Sequence, residues 1–156
     1  MKNLKTLLAA PIVALAFATT PAMAENEELI DAMEGYVMFA DYQGATIRPE
    51  QIPEEDWENM TIVDTRDAGQ YEKDHIPGAI NIEWREILER RDELPSDRTV
   101  LVYCNTGSLS AQAGLMLRLA GMDNVRILQD GFTGFKEAGG VEANARAQEE
   151  AEEAGE

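Results

Sequence analysis

The stretch from Thr99 to Ala120 limits the fold more than any other. Thr99-Val100-Leu101-Val102-Tyr103 is a continuous apolar run, the pattern of a strand buried on both faces. It leads directly into Cys104-Asn105-Thr106-Gly107-Ser108-Leu109-Ser110, a loop of mostly small or polar residues. The helix that follows, Ala111 to Ala120, is apolar almost all round, and Ala111, Ala113 and Gly114 let it approach a sheet closely. Gly121 is placed to cap its C-terminus.

The rest of the chain repeats the alternation. Glu25 to Met33 reads as a short polar helical lead-in, Gly35 to Ala40 as a first strand, and Gly44 as a turn before an extended piece at Ala45-Thr46-Ile47. Pro49 suits the first turn of a brief helix over 48–51. Met60 to Asp64 is a second continuous apolar strand, Ala68 to Lys73 a short helix, His75-Ile76-Pro77-Gly78 a turn, and Ala79 to Ile82 a strand. Arg85 to Glu93 is expected to be helical and is stopped by Pro95. Val125 to Leu128 is the last strand, and Phe132 to Ala138 a final short helix before Gly139-Gly140. Such alternation predicts an α/β fold, a parallel sheet with helices on both faces. From Val141 onward alanine and glutamate dominate without an apolar stripe, which reads as solvated helix or disorder with no assigned function.

Cys104 is the only cysteine in the chain and lies at the carboxyl end of a strand, where reactive groups of open α/β sheets collect. A bare lone cysteine reads first as an inert small hydrophobe. Here the loop and helix terminus supply N–H donors that no helical carbonyl satisfies, together with about half an elementary charge of positive dipole. Such surroundings lower a thiol pKa from about 8.5 towards roughly 3.5–7.5. The expectation is a solvent-reachable thiolate nucleophile with no need of a general base.

The first residues resemble a secretory signal: Lys2 and Lys5, an apolar run from Leu7 to Phe17 interrupted by Pro11, and Ala22-Met23-Ala24 as a cleavage site. The domain plan is therefore a cleaved segment at 1–24, an N-terminal extension at 25–44, one α/β domain at 45–140 and an acidic tail at 141–156. That plan places the protein in the periplasm with no membrane anchor after processing; an uncleaved N-terminal helix is the alternative. A formal charge of −17 opposes binding to nucleic acid or anionic lipid. The same acidity fits either a well-solvated surface or adaptation to salty surroundings.

Three segments carry a resemblance to the rhodanese-like family of single-domain sulfurtransferases. Ile62-Val63-Asp64-Thr65-Arg66 resembles its strand ending in Asp-x-Arg, His75-Ile76-Pro77-Gly78-Ala79 its His-x-Pro-Gly-Ala turn, and Cys104-Asn105-Thr106-Gly107 its Cys-x-x-Gly loop. Leu128-Gln129-Asp130-Gly131-Phe132, with Phe135-Lys136, is similar to its closing segment. The resemblance spans about Thr46 to Gly140 and implies a five-stranded parallel sheet. It also implies a Cys104 persulfide that passes sulfane sulfur from a small donor to a thiol or cyanide, with no cofactor and no metal. Cys104 is then catalytic, and Asn105, Thr106, Gly107, Ser108, Leu109, Ser110 and Arg66 are the substrate-binding candidates. His75 is expected to be a structural turn residue, Asp64 and Arg66 to pair or brace loops, and Trp57 and Trp84 to pack.

Two positions depart from relatives that use thiosulfate: Leu109 stands where many carry a cation, and Gln70 where some carry an arginine. A phosphatase of the related dual-specificity type needs Cys-x5-Arg, and the corresponding position here is Ser110. The remaining alternative is a persulfide carrier or protein-binding module, with a periplasmic protein as its partner.

Overall fold

The computed structural model describes residues 26–40 and 45–155. The expected signal segment at 1–24 and the turn at Gly44 lie outside the described residues.

Five parallel strands form one sheet in the order β1-β5-β4-β2-β3. They are β1 (Thr46–Ile47), β2 (Thr61–Asp64), β3 (Ile80–Asn81), β4 (Val100–Tyr103) and β5 (Val125–Leu128). The middle strand is β4, which pairs with β2 from Thr61↔Val100 to Asp64↔Tyr103 and with β5 from Val100↔Val125 to Val102↔Ile127. All four of its residues are fully buried, which is what a continuous apolar run in a parallel sheet requires.

Alternate residues of the central strands feed two cores. Ile62, Leu101, Tyr103 and Leu128 pack on one face with Trp57, Ile76, Phe132 and Phe135. Val63, Val100, Val102, Val125 and Ile127 pack on the other with Ile82, Ile87, Ala113 and Leu117. The first face is covered by α2 (Glu54–Trp57) and α5 (Gly131–Ala138), the second by α4 (Ser108–Leu119). Helices on both faces were the sequence expectation. Gly114 justifies its selection, because a Cβ there would stand 2.6 Å from Ile127 Cγ1. Gly121, at φ +93, ends α4, its N–H bonded to the Arg118 carbonyl.

Three segments differ from expectation. The strand expected at Gly35 to Ala40 is helix: α1 runs Glu27–Phe39, capped by the Asn26 side chain on the Leu29 N–H, with Glu27 and Glu28 at the positive end of its dipole. Tyr36 then fixes α1 on α4, where the Arg118 guanidinium lies 5.6 Å from its ring centroid. The helix expected at Arg85 to Glu93 is a series of turns ending in a 3-10 turn at Arg91–Glu93. Ile87 is fully buried while Leu88 is 39 % exposed, so no apolar stripe at helical spacing holds a continuous helix there.

The tail is the third, and only in part, because helix was one of its two expected readings. It forms α6 (Ala143–Ala154), and its start belongs to the domain. Val141 packs on the first core, Ala143 is buried, and the Asn144 amide donates to the Glu50 carbonyl at 2.6 Å. Deleting residues 141–156 should therefore lower the unfolding free energy by about 2 kcal/mol, from lost apolar burial and one hydrogen bond. Urea denaturation of the full and truncated chains measures it, and equal midpoints would show that the tail is only solvated.

Candidate active site

The candidate nucleophile sits where β4 ends, outside the carboxyl edge of the sheet at its middle strand. After Cys104 the chain turns through Asn105 and Thr106 to Gly107, whose φ of +94 starts α4 from a left-handed conformation. Glycine takes that conformation without the cost of a Cβ. The turn folds the following N–H groups back over the sulfur.

Burial pushes the Cys104 thiol up. The backbone N–H and hydroxyl of Ser110, with the N–H groups of Thr106 and Leu109, more than offset that and hold it below its ordinary value. Ser110 is fully buried, and its Oγ lies 3.6 Å from Sγ and 3.1 Å from the Gly107 carbonyl. Its single hydroxyl hydrogen serves one of these acceptors at a time. The cradle consists of neutral donors.

One expectation needs correcting. Cys104 is only 2 % exposed, so it is a buried thiol and not an open one. A second segment closes on the far side of the loop. The Phe132 N–H donates to the Cys104 carbonyl at 2.7 Å and the Thr133 N–H to the Asn105 carbonyl at 3.0 Å. Gly131 makes room for both. Its φ is +56, and a Cβ there would meet the Asn105 carbonyl carbon at 2.8 Å and the Cys104 carbonyl oxygen closer still.

Arg66 extends from just beyond β2, beside the loop. Its Nε donates to Asp64 Oδ1 at 2.9 Å and its Nη2 to Asp64 Oδ2 at 2.5 Å, both residues being buried. Nη2 also reaches the Asp74 carbonyl at 2.7 Å, and Nη1 reaches Asn105 Oδ1 at 3.2 Å. The hydrogen bond to Asp64 is the main reason its pKa is raised. The pairing and bracing expected of Asp64 and Arg66 are both present.

The Asn105 amide is thus engaged by its neighbours: Oδ1 by Arg66, and Nδ2 by donating to Gln70 Oε1 at 2.6 Å. Thr106 is exposed on the loop and Ser108 at the start of α4, and Leu109 is half-buried with its N–H on the sulfur. His75 stacks on Tyr71 at 4.1 Å between centroids, its Nδ1 2.8 Å from the Tyr71 carbonyl, which is a turn-holding arrangement. The Ala79 N–H closes that turn on the Ile76 carbonyl, with Gly78 at φ +78. Trp57 packs edge-on against Phe135 at 5.3 Å. Among the described residues no group of three His, Cys, Asp or Glu side chains is placed to hold a metal ion.

Two contributors escaped the sequence reading. Tyr103 donates its hydroxyl to Asp64 Oδ2 at 2.8 Å and accepts the Ile76 N–H at 3.0 Å; burial foremost raises its pKa. A tyrosine ending a fully buried strand must find such partners, so this signal was readable. Gln70, noted in the sequence only as a missing arginine, is a partner of the loop.

A parallel α/β domain that wraps one buried sulfur in N–H donors, at the end of its middle strand, defines a class built to hold a charged sulfur. The chain belongs to the rhodanese-like family: the Rhodanese-like domain model matches residues 50–138. Among curated proteins it is 33 % identical over 129 residues to the HTH-type transcriptional regulator Rv0324 of Mycobacterium tuberculosis, covering 81 % of this chain and 57 % of that protein. It is 37 % identical over 81 residues to the thiosulfate sulfurtransferase PspE of Escherichia coli, covering 51 % of this chain and 68 % of that one. Among solved structures, a rhodanese-related protein from Thermoplasma volcanium aligns with a TM-score of 0.56 and 26 % identity, over 61 % of this chain and 93 % of that one. The chain spans little more than half the length of the mycobacterial regulator.

The sulfur's surroundings give a pH dependence. Because the donors favour the thiolate, the alkylation rate with iodoacetamide should rise with pH to a midpoint below the value of about 8.5 for a free thiol. Burial slows the reaction at every pH and pushes the midpoint up, and the donors outweigh that push. Ser110→Ala removes one donor and should move the midpoint upward. A wild-type midpoint at or above the free-thiol value would contradict the assigned cradle.

Proposed function

We propose that this protein is a sulfurtransferase that carries sulfane sulfur as a persulfide on Cys104 and delivers it to a thiol or cyanide. We propose further that it works in the periplasm after loss of residues 1–24. The observation that carries the first reading is the cradle itself: N–H groups of Thr106, Leu109 and Ser110 and the Ser110 hydroxyl converge on one buried sulfur.

The chemistry follows from those groups. The Cys104 thiolate attacks the outer sulfur of a donor R–S–S⁻ or a comparable sulfane compound; a new S–S bond forms and the donor's own S–S bond breaks. The leaving group departs with the electron pair. The Cys104 persulfide keeps one negative charge, now centred on the outer sulfur, and the N–H groups of the loop are placed to receive it. An acceptor nucleophile then attacks that sulfur and Cys104 leaves as the thiolate that the same donors stabilise. Both steps exchange one anion for another, so no side chain has to move a proton.

The second reading is a non-turnover carrier or protein-binding module, and one observation favours it. The two cations stacked on Phe132 are already held by carboxylates, Arg66 by Asp64 and Lys136 by Asp74. Arg66, buried against Asp64, is not free to draw in an anionic small donor, and Asp74 beside the exposed Lys136 weakens the pull of that ammonium. The phosphatase alternative has no guanidinium where it needs one, because that position is the buried Ser110.

Intact mass of protein extracted from cells tests both proposals. The expected result is a chain starting at Glu25 that gains about 32 Da per transferred sulfur after exposure to persulfide, polysulfide or thiosulfate, with no gain in Cys104→Ser. Absence of a sulfur adduct with every donor overturns the persulfide reading, and retention of residues 1–24 overturns the location. Repeated turnover with cyanide separates an enzyme from a carrier that loads once.

A further inference from the structure

We propose that Gln70 is a positioning residue for Cys104, acting through Asn105 to hold one wall of the sulfur cradle. The geometry starts at the peptide joining Asn105 to Thr106. Its carbonyl belongs to Asn105 and its N–H to Thr106, and in a trans peptide the two point in opposite directions. The Thr133 N–H holds that carbonyl from outside at 3.0 Å, which leaves the Thr106 N–H directed at the sulfur. The orientation of Asn105 therefore sets the aim of one sulfur donor.

Asn105 is held from both sides. Arg66 Nη1 donates to its Oδ1, and Arg66 is itself fixed by the buried Asp64. Nδ2 of Asn105 donates outward to Gln70 Oε1 at 2.6 Å. Nε2 of Gln70 then donates to Asp67 Oδ2, while the other oxygen of Asp67 accepts the Gln70 N–H at 3.1 Å as the N-cap of α3 (Ala68–Lys73). The Gln70 side chain holds the Asp67 carboxyl below the usual carboxylate range, so that end of the chain stays an acceptor under mild acid.

Every direction in this row is dictated. A guanidinium only donates, so the Asn105 oxygen must face Arg66 and its NH₂ must face Gln70. Gln70 must then present its oxygen to Asn105 and its NH₂ to Asp67, which only accepts when ionised. A carboxylate at each end fixes both amides in one orientation, and neither flips without losing two hydrogen bonds. Gln70 lies half-buried on a short helix at the rim, so it adds little to the core. Of its two side-chain partners, Asn105 lies on the loop and Asp67 caps its own helix.

The test reads the pH midpoint of Cys104 alkylation by iodoacetamide in the full chain, with melting temperature alongside. No sulfur donor is used, so the outcome does not depend on the proposed function. Gln70→Met keeps the length of the side chain and removes both of its side-chain hydrogen bonds. It should raise the midpoint by about half a pH unit, about threefold less thiolate on the acid side. In an Asn105→Ala background the same substitution should produce no further shift. Gln70→Ala, which leaves the rim open to water, should behave the same way. An unchanged midpoint in the wild-type background, or equal shifts in both backgrounds, overturns the proposal; a fall in melting temperature alone marks a purely structural residue.

Discussion

The buried pair of Asp64 and Arg66 is the interaction on which the working end of this molecule depends. Asp64 is fully buried and Arg66 is 5 % exposed, so each ion gives up hydration worth several kcal/mol. Such a pair persists only when the remaining lone pairs and protons are also satisfied. Here Asp64 accepts from Arg66 Nε and Nη2, from the Arg66 backbone N–H at 3.0 Å and from the Tyr103 hydroxyl. Two more Arg66 N–H groups go to Asp74 and Asn105, and its guanidinium carbon lies 4.6 Å from the centroid of Phe132. One cluster thereby joins the ends of β2 and β4, the turn after α3, the sulfur loop and α5. Removing one partner leaves the other charge buried and unpaired, at a cost of about 3–5 kcal/mol.

Above that anchor the loop is shaped by backbone more than by side chains. The first N–H groups of α5 have no intrahelical acceptor, and two of them close on the carbonyls of Cys104 and Asn105. Once those carbonyls are taken from outside, the N–H groups along the loop are left for the sulfur. The arrangement demands a glycine at 131, since the carbonyls pass through the space a Cβ would fill. Asp130 just before it also has a positive φ, of +59, which a residue with a side chain adopts at some cost. The cradle is thus built from two helix N-termini, α4 supplying donors to the sulfur and α5 gripping the loop from behind.

Most of the fold was legible because its strands are continuous apolar runs bounded by turn residues. Met60 to Asp64, Thr99 to Tyr103 and Val125 to Leu128 all became strands within a residue of their expected ends. The misreadings occur where local pattern and tertiary packing disagree. Gly35 to Ala40 has the apolar density of a strand, but Asn26 nucleates a helix that continues through it, and Thr46–Ile47 pairs with β5 at that sheet edge. Arg85 to Glu93 has helix-forming residues and only Ile87 fully buried, which propensity does not reveal. At the site, the place of Cys104 at a strand end and the N–H groups around its sulfur followed from strand, loop and helix order alone. Burial of the sulfur and the hydrogen bonds of Gln70 did not. Both depend on which segment folds over the loop, a long-range contact that local sequence does not encode.

The electrostatics of the site work at short range against the field of the whole chain. A net charge of −17 opposes any new anion, and a thiolate or persulfide is one. At about 0.15 M salt that field fades over about 8 Å, whereas hydrogen-bond donors act in direct contact and are not screened by ions that cannot enter. Neutral donors have a second consequence. They stabilise a negative charge once it is present on the sulfur, yet exert little pull on an anion still in solution, because a dipole's field falls off faster than a charge's. Arg66 does not supply that pull, because its charge is paired with Asp64 at 2.5 Å. The site is therefore suited to hold an anion formed on Cys104 more than to gather anions from its surroundings.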